Sequence, residues 1–408
     1  MSLRVLIAGA GLGGLTLAHG LRQAGLEPLI FERAPAQVDL SASYRIHIDG
    51  SGARALRRCL PDELWNRFQQ HSAAPTRGIA FATEQLRELT FIEESEPSYP
   101  ISRAGLRQLL LHGMQEAVSF QRRVVGYDQT ADGVRLHFAD GTSADGDVIV
   151  GADGSASAIR NQLLPAARVV ETGVASIAGK LHLSDRVRER LREIVGSRLL
   201  SQMTMVLPLR GMAMFIAPFL RRDGFALDLD LPEHLFWVVL GRSAELGGSR
   251  SQDTEHLRQL AVRHIEHAHP LLRWLVAEAD APTIVRVPLH TAEKVAAWPS
   301  SSITLLGDAI HTMTPLQGLG GNTALRDAAL LCQQLVEADR GVIELHTAIG
   351  AYESAMRQYG FEAVQRSLDI SNAVASTNTF GRVAFRTVLR VANTQPWLHR
   401  KLFQRPAA

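Results

Sequence analysis

Short apolar runs alternate with helical patterning at the start of the chain. Residues 4–8 form the first apolar run, and the helical pattern that follows it stops at Gly25. A second apolar run over residues 28–31 ends in Glu32. Because strands that are buried on both faces are continuously apolar, this order predicts a βαβ unit with parallel strands.

The rest of the chain divides into helical and strand-like stretches. Apolar residues at helical spacing predict helices over 52–70, 102–117, 253–279, 322–338 and 342–376. Residues 134–138, a turn at Asp140 and Gly141, and a buried strand at 147–150 predict a hairpin. A further buried strand is predicted at 302–306. Four further runs, joined by short connections, predict an antiparallel sheet from 203–208, 212–218, 225–231 and 235–240.

We therefore expect an α/β protein in which an antiparallel-sheet domain is inserted into a domain built on the parallel βαβ unit. Residues 1–168 and 284–376 are assigned to that first domain, residues 169–283 to the inserted sheet domain, and residues 377–408 to a helical tail. Residues 70–100 are a further candidate for the sheet. The tail mixes apolar residues with arginines, which leaves two interpretations: a helix on a membrane surface, or a helix packed on the protein with its arginines outward, which we prefer.

Composition and charge exclude several classes of protein. Hydrophobic residues make up 46% and charged residues 21% of the 408 residues, so a disordered or fibrous chain is excluded. The net charge is only +2, from 43 basic and 41 acidic residues, so the chain lacks the excess of positive charge that indicates nucleic-acid binding. We find no apolar run of about 20 residues that could span a membrane. The two cysteines are far apart in sequence and favour a reduced, cytoplasmic protein, and we expect a monomer or a homodimer.

A glycine fingerprint stands between the first predicted strand and helix. Gly9, Gly11 and Gly14 have the spacing in which the first glycine makes the turn, the second admits a pyrophosphate and the third allows helix and strand to pack closely. The helix N-terminus then faces the phosphates. Glu32, at the end of the second strand, is placed to accept hydrogen bonds from an adenosine ribose. These features predict dinucleotide binding.

Two distant segments distinguish FAD from NAD. Gly151-Ala152-Asp153-Gly154 with Arg160 follows one predicted strand, and Gly307-Asp308 with a glycine-rich loop over 315–322 follows another. With the fingerprint, these motifs make residues 1–375 resemble the single-component FAD-dependent aromatic hydroxylases, the para-hydroxybenzoate hydroxylase-like class A flavoprotein monooxygenases. The resemblance implies a glutathione-reductase-like FAD-binding domain.

The resemblance also implies an activity. NADPH or NADH would reduce FAD, and the flavin C4a-hydroperoxide formed with O2 would hydroxylate or epoxidise an apolar, aromatic small molecule. Asp308 would contact the ribityl–phosphate end of FAD, Asp153 would support the pyrophosphate region and the donor, and the 315–322 loop would lie beside the flavin ring. The resemblance extends the candidate cofactor-binding set to Gly9, Gly11, Leu12, Gly13, Gly14, Glu32, Arg33, Arg45, Arg103, Asp153, Asp308, Pro315, Gly318, Gly320, Gly321 and Asn322.

Several alternatives stay open. No acid or base is identifiable, and Arg45 and His47 are weak candidates for a catalytic role, while His311 is expected to be structural. Core packing and a substrate pocket explain one apolar group equally well: Met203, Met205, Met212, Met214, Phe215, Phe225 and Trp237. A redox-inactive flavin-binding protein is the alternative function. A flavin-dependent halogenase is disfavoured, because no Trp-x-Trp-x-Ile-Pro segment occurs.

Overall fold

The computed structural model describes residues 2–36, 43–130, 133–208, 213–222, 232–247, 253–395 and 397. The chain divides into two compact units. The first unit comprises residues 1–72, 101–172 and 290–370, and the second comprises 73–100, 173–289 and 371–408.

The strands of the described residues are, in chain order, β1 Val5–Ala8, β2 Leu29–Glu32, β3 Arg45–Ile48, β4 Gly78–Ala82, β5 Glu88–Glu93, β6 Tyr99–Ser102, β7 Val118–Phe120, β8 Val124–Thr130, β9 Gly133–Phe138, β10 Ser143–Gly146, β11 Val148–Gly151, β12 Val169–His182, β13 Met203–Val206, β14 Ala213–Phe219, β15 His234–Arg242, β16 Val285–Ala292 and β17 Ile303–Leu305.

The helices are α1 Leu12–Gln23, α2 Gly50–Cys59, α3 Asp62–His71, α4 Arg103–Leu111, α5 Ala158–Leu163, α6 Asp185–Val195, α7 Arg198–Ser201, α8 Thr254–His264, α9 Pro270–Ala277, α10 Asp308–His311, α11 Leu319–Asp339, α12 Leu345–Ala375 and α13 Thr379–Thr394. Short 3₁₀ turns lie at Ala281–Thr283 and Pro315–Gln317. No helix among the described residues has both the length and the apolar character that crossing a bilayer requires.

A parallel five-stranded sheet forms the centre of the first unit. Its strand order is β17-β11-β1-β2-β7, and every pair in it is parallel. Strands β1 and β11 are buried along their whole length, as their continuous apolar sequence predicts. A separate antiparallel sheet has the order β10-β9-β8. The predicted α/β fold with a parallel sheet is confirmed.

Helices α1, α2 and α11 of the first unit meet at a glycine. A Cβ atom built at Gly20 of α1 would lie 2.6 Å from the Cys332 Sγ of α11 and 3.1 Å from the Cys59 Sγ of α2, so only glycine fits there. Both thiols are free and buried. The hydrogen bond with Cys332, and then burial, raise the pKa of the Cys59 thiol. The pair is therefore a small apolar plug between three helices.

A seven-stranded sheet dominates the second unit, with the order β16-β12-β15-β14-β13-β4-β5. The β12–β15, β15–β14, β14–β13 and β4–β5 pairs are antiparallel, whereas β13 and β4 are parallel. One face of the sheet packs on a core that includes Ile177, Leu191, Ile216, Trp237 and Leu275.

Several predicted elements are divided or differently paired in the structure. The helix predicted over 52–70 is two helices, because the chain is extended at Leu60 and Pro61, and the helix predicted over 253–279 is interrupted before Pro270. The hairpin prediction is wrong in its partner: β9 pairs with β10, while the next strand, β11, joins the parallel sheet. The strand β12 has no counterpart in the sequence prediction, and the predicted run 225–231 lies outside the described residues.

Candidate cofactor site

The three fingerprint glycines have different surroundings. Gly9 has a φ of +111°, which disfavours any side chain, and a Cβ there would overlap the Ala152 carbonyl oxygen. A Cβ on Gly14 would overlap the carbonyl oxygen of Gly9 itself. A Cβ on Gly11, by contrast, would meet no atom of the described residues within 4 Å. Packing thus explains Gly9 and Gly14, whereas Gly11 borders open space that a pyrophosphate fits.

The N-terminus of α1 is available to an anion. Gly11 is its N-cap residue, no side chain caps the helix, and its first turn contains no acidic residue. Its first amide groups, which include those of Leu12 and Gly13, therefore lie at the positive end of the helix dipole. No side chain accepts a hydrogen bond from them as a cap. Phosphate oxygens are suitable acceptors for such a terminus.

Glu32 is held rigidly at the end of β2. Its Oε2 accepts a hydrogen bond of 2.9 Å from the Ala10 amide, and its Oε1 accepts one of 2.8 Å from the Ala34 amide. The Arg107 guanidinium lies 3.7 Å from the same carboxylate and donates to the Ala10 carbonyl at 2.8 Å. Burial lowers the pKa of Arg107, and the charge of Glu32 opposes that shift. The next residue, Arg33, is exposed.

Sequence reasoning missed Arg107. The available signal was its position one helical turn after Arg103, on the same face of a helix that was already assigned to the cofactor.

The Asp-Gly motif packs against the fingerprint. A Cβ built on Gly9 would lie 3.1 Å from the Asp153 Cα. Asp153 Oδ2 accepts a hydrogen bond of 2.8 Å from the Ala158 amide and so stabilises the start of α5, while its Oδ1 is buried without a hydrogen-bond partner among the described residues. That second oxygen is the part of Asp153 still available to a ligand donor.

Arg160 joins this motif to the Gly-Asp motif. Its guanidinium donates to the carbonyl oxygens of Ser155 at 2.9 Å and Ala309 at 3.1 Å. The side chain is buried, and desolvation lowers its pKa. Arg160 therefore fixes two loops relative to each other within the first unit.

Asp308 lies on the open side of the Gly307 turn. It begins α10, it is exposed, and no side chain or amide of the described residues donates a hydrogen bond to its carboxyl group. Although solvent reaches it, the surrounding protein raises its pKa by desolvation, against the opposing charges of His311 and Arg103. Arg103, exposed at the start of α4, is thus an electrostatic neighbour of Asp308.

Asp327 lies behind the same turn and was not found by sequence reasoning. It is fully buried and accepts hydrogen bonds from the Gly307 amide at 2.8 Å, from His311 Nε2 at 2.6 Å and from the Tyr359 hydroxyl at 2.7 Å. Burial alone would lower the pKa of His311, but the charge and hydrogen bond of Asp327, together with the charge of Asp308, outweigh burial, so the pKa is raised. We call Asp327, His311 and Tyr359 the Asp327 network.

The loop after Pro315 leads into a second uncapped helix. Pro315 and Gly318 are exposed, and Gly318 adopts a φ of +65° as the N-cap residue of α11, which has neither a side-chain cap nor an acidic first turn. A Cβ on Gly321 would meet nothing within 4 Å among the described residues, and one on Gly320 would make only ordinary contacts. This helix end resembles that of α1 in having free amides beside open space.

Asn322 attaches this loop to β3. Its Nδ2 donates to the carbonyl oxygens of His47 at 2.8 Å and Gly318 at 2.9 Å, and its Oδ1 accepts from the Asp49 amide at 3.0 Å. The Asn322 side chain is therefore occupied by the protein. His47 and the buried Arg45 lie two residues apart on β3, so they share a face of that strand.

These residues fit FAD. An uncapped helix with room at Gly11 suits its pyrophosphate, Glu32 suits the adenosine ribose, and the exposed Asp308 suits a polyol hydroxyl. A second uncapped helix, that of α11, suits a flavin edge on which negative charge accumulates.

The candidate pocket residues divide between the two faces of the second sheet. Met214 and Trp237 belong to the core on one face. Met205 pairs with Phe215 across β13 and β14, and alternation places Met203 on their face, which is opposite to the core. Met212 and Phe225 lie outside the described residues.

The fold and this site define a protein of the FAD-binding class. The sequence model of a protein family described as "FAD binding domain" matches residues 2–223 and 250–367, so the chain belongs to that family. The resemblance to the FAD-dependent aromatic hydroxylases is thereby confirmed, and the relatives do not favour a halogenase.

Similar proteins agree with this membership. A dual O-methyltransferase/FAD-dependent monooxygenase of Phaeosphaeria nodorum is 30% identical over 441 residues, which cover 93% of this chain and 46% of the relative. The chain spans about half the length of this relative and of two others from Cercospora species. A 3-amino-4-hydroxybenzoate 2-monooxygenase of Streptomyces platensis is 29% identical over 353 residues, covering 82% of this chain and 80% of the relative.

A solved structure shares the fold. It is a candidate FAD containing monooxygenase of Photorhabdus luminescens, with a TM-score of 0.83 and 34% identity over 91% of this chain and 99% of that one.

Proposed function

We propose that this protein is an FAD-dependent monooxygenase that uses NADPH or NADH and O2 to hydroxylate or epoxidise an apolar, aromatic small molecule. The observation that carries the proposal is the second uncapped helix end, at Gly318–Gly321 beside Asp308. A protein that only binds a dinucleotide needs the α1 end alone. A second positive helix end, joined to β3 through Asn322, suits a flavin ring that becomes negatively charged on reduction.

The residues of the first unit have separate roles in this proposal. The α1 amides and the space at Gly11 bind the pyrophosphate, Glu32 orients the adenosine ribose, and Asp308 accepts a hydrogen bond from the ribityl chain. Asp153 and Arg103 support the phosphates, and the backbone of the 315–322 loop faces the ring. When bound, FAD supplies the acceptance of hydride and the activation of oxygen. The chain orients it and excludes water from the reacting edge.

Substrate recognition is assigned to the second unit. Its sheet face with Met203, Met205 and Phe215 is apolar, is not part of the core cluster, and consists of side chains that adapt to a flat apolar ligand. The Streptomyces platensis relative acts on a substituted hydroxybenzoate, which supports an aromatic substrate. Arg45 and His47 are the polar candidates for contact with substrate in the first unit.

The electron donor is proposed to bind transiently. The chain has one glycine fingerprint with a strand before it and an acidic partner after it, and FAD is proposed to occupy that fingerprint. Reduction of FAD without substrate would waste the donor, so we expect hydride transfer to wait for substrate. We further propose a cytoplasmic protein that acts as a monomer or homodimer.

The test is anaerobic reduction of the FAD-loaded protein by NADPH and by NADH, with and without aromatic compounds that perturb the flavin spectrum. A substrate should accelerate reduction at least about tenfold, which is about 1.4 kcal/mol off the barrier. The aerobic product should contain one oxygen atom from isotopically labelled O2. A protein that binds FAD but is reduced by neither donor under any condition is the redox-inactive alternative, and reduction at one rate with and without every ligand contradicts the gating.

A further inference from the structure

Arg107 of α4 closes a ring of contacts around the fingerprint loop. Its Nε donates to the Ala10 carbonyl oxygen at 2.8 Å, and the Ala10 amide donates to Glu32 Oε2 at 2.9 Å. The Arg107 Nη2 lies 3.7 Å from that same oxygen of Glu32, which is too long for a hydrogen bond. Ala10 is thus fixed from both sides, and the guanidinium and the carboxylate lie next to each other.

The guanidinium of Arg107 is poorly satisfied for a group that lies mostly inside the protein. Only 15% of the side chain is exposed, and Nη2 is buried without a hydrogen-bond partner among the described residues. Of its three nitrogen atoms, only Nε donates a hydrogen bond within that part of the chain. Buried polar groups are almost always hydrogen-bonded, and a guanidinium has five N–H donors. The unused donors therefore indicate that a molecule bound beside Arg107 supplies acceptors.

Glu32 supplies the complementary half of such a site. Its two oxygen atoms accept one hydrogen bond each, from the Ala10 and Ala34 amides. A carboxylate has about four acceptor positions, so about two of them are left for a ligand. The side chain of Glu32 is 13% exposed. Acceptor positions on Glu32 and donor groups on Arg107 thus lie side by side at the end of β2.

A vicinal diol matches this pair of groups. Each hydroxyl of a ribose 2′,3′-diol is both a donor and an acceptor, so it can donate its proton to the Glu32 carboxylate and accept from the Arg107 guanidinium. An anionic group at this position would be repelled by Glu32 and a cationic group by Arg107, whereas neither charge opposes the neutral diol.

The helix α4 places Arg107 at the ribose rather than at the phosphates. Arg103 lies one helical turn earlier on the same face, about 6 Å away along the helix axis. Arg103 is an electrostatic neighbour of Asp308, whereas Arg107 is paired with Glu32. The two arginines therefore face different parts of a cofactor that extends from Asp308 to Glu32.

We propose that Arg107 and Glu32 together recognise the 2′,3′-diol of the adenosine ribose. Glu32 accepts the hydroxyl protons, and Arg107 donates to the hydroxyl oxygens, which makes Arg107 a specificity-determining residue for the adenosine half of the cofactor. The proposal rests on the proposed function only in placing FAD at the fingerprint, and it does not depend on the reaction.

The experiment compares ADP with 2′,3′-dideoxy-ADP, which lacks both hydroxyls, by calorimetric titration of the protein stripped of FAD. We expect wild type to prefer ADP by at least about a hundredfold, because two charged groups each contribute about tenfold or more. Arg107→Met should weaken ADP binding by about tenfold and leave the dideoxy compound unaffected, so the preference falls by the same factor. A purely structural role would weaken both compounds equally and leave the preference unchanged.

Two further variants guard against a general defect. Gln108→Met changes the next residue of α4, which is exposed, and should leave both affinities unchanged. Arg107→Lys retains the charge and a donor for the Ala10 carbonyl oxygen, so it preserves the loop if Arg107→Met does not fold. It should still lose preference for ADP, because a single ammonium lacks the planar fork that serves the carbonyl and the diol together.

FMN, which has no adenosine, provides the last comparison. It should bind to Arg107→Met as tightly as to wild type, and an equal loss of FMN and ADP affinity overturns the proposal. An unchanged preference in both Arg107 variants also overturns it, as does a wild type that binds FAD but does not distinguish ADP from its dideoxy form. A wild type that binds no FAD contradicts the proposed function itself, and this proposal with it.

Discussion

The two sides of the Gly307 turn contain aspartates with opposite environments. On the open side, Asp308 is exposed and its carboxyl group accepts no hydrogen bond from the described residues. On the buried side, Asp327 is inaccessible and accepts three, from Gly307, His311 and Tyr359. The same functional group is thus unsatisfied where a ligand is expected and saturated where the protein must be rigid.

This difference separates stability from cofactor binding. Removing the carboxyl group of Asp327 leaves buried donors without a hydrogen-bond acceptor. Removing that of Asp308 leaves no donor of the described residues without an acceptor in the protein without FAD. The following predictions test that separation, beginning with the largest effect.

Asp327→Ala should lower the free energy of unfolding by about 3–5 kcal/mol, because three buried donors lose their acceptor and His311 loses its counter-charge. Urea denaturation of the FAD-free protein measures this loss. Asp369→Ala, at an exposed aspartate of α12, is the control and should change stability by no more than about 0.5 kcal/mol. Equal stability of the two variants would mean that the Asp327 network does not stabilise the turn.

Asp308→Ala should leave the stability of the FAD-free protein unchanged and weaken FAD binding by roughly tenfold to a few hundredfold. The reason is the loss of one hydrogen bond to a charged group, worth about 1.5–3 kcal/mol. Titration of the stripped protein with FAD, followed by quenching of flavin fluorescence, measures the affinity. An Asp308→Ala variant with wild-type affinity would remove Asp308 from the site.

The smallest effect concerns pH. Because the folded pKa of His311 is raised above its ordinary value of 6.5, its charge contributes stability below pH 6.5, and that contribution is lost as the pH rises through the folded pKa. The loss is modest, since neutral imidazole can still donate to Asp327. The urea midpoint of wild type should therefore fall over this range, and His311→Gln should lack that fall. An identical pH dependence in both proteins would mean that His311 titrates alike in the folded and unfolded states.

The sequence predicts the parts of the fold and site that follow local rules. The strands β1, β2, β11 and β17 were recognisable because buried parallel strands are short and wholly apolar, and the glycines at 9, 11 and 14 because their spacing is that of a dinucleotide-binding turn. Asp327 and Arg107 were missed because both lie within amphipathic helices, where a polar residue looks like a solvated one. Their roles arise from partners far along the chain, at Gly307 and Glu32.

The helix α13 of the tail is a second case in which contacts with distant residues could not be predicted from the sequence. Sequence reasoning preferred a helix with outward arginines, because charged residues normally face solvent. The structure instead gives Arg386 the Leu207 carbonyl oxygen and Glu84 as partners, residues more than 170 positions away. No periodicity in the tail contains that information.

The reaction of the Cys59–Cys332 thiols can measure how often this part of the molecule opens. Both thiols are buried, at 1% and 9% exposure, so a thiol reagent can reach them only when helices α1, α2 and α11 separate. The rate at which native protein is alkylated therefore reports how often this part of the first unit opens. Leu12 and Leu319 begin two of these three helices, at the ends assigned to FAD. Loading with FAD should therefore lower the rate at which the two thiols are alkylated.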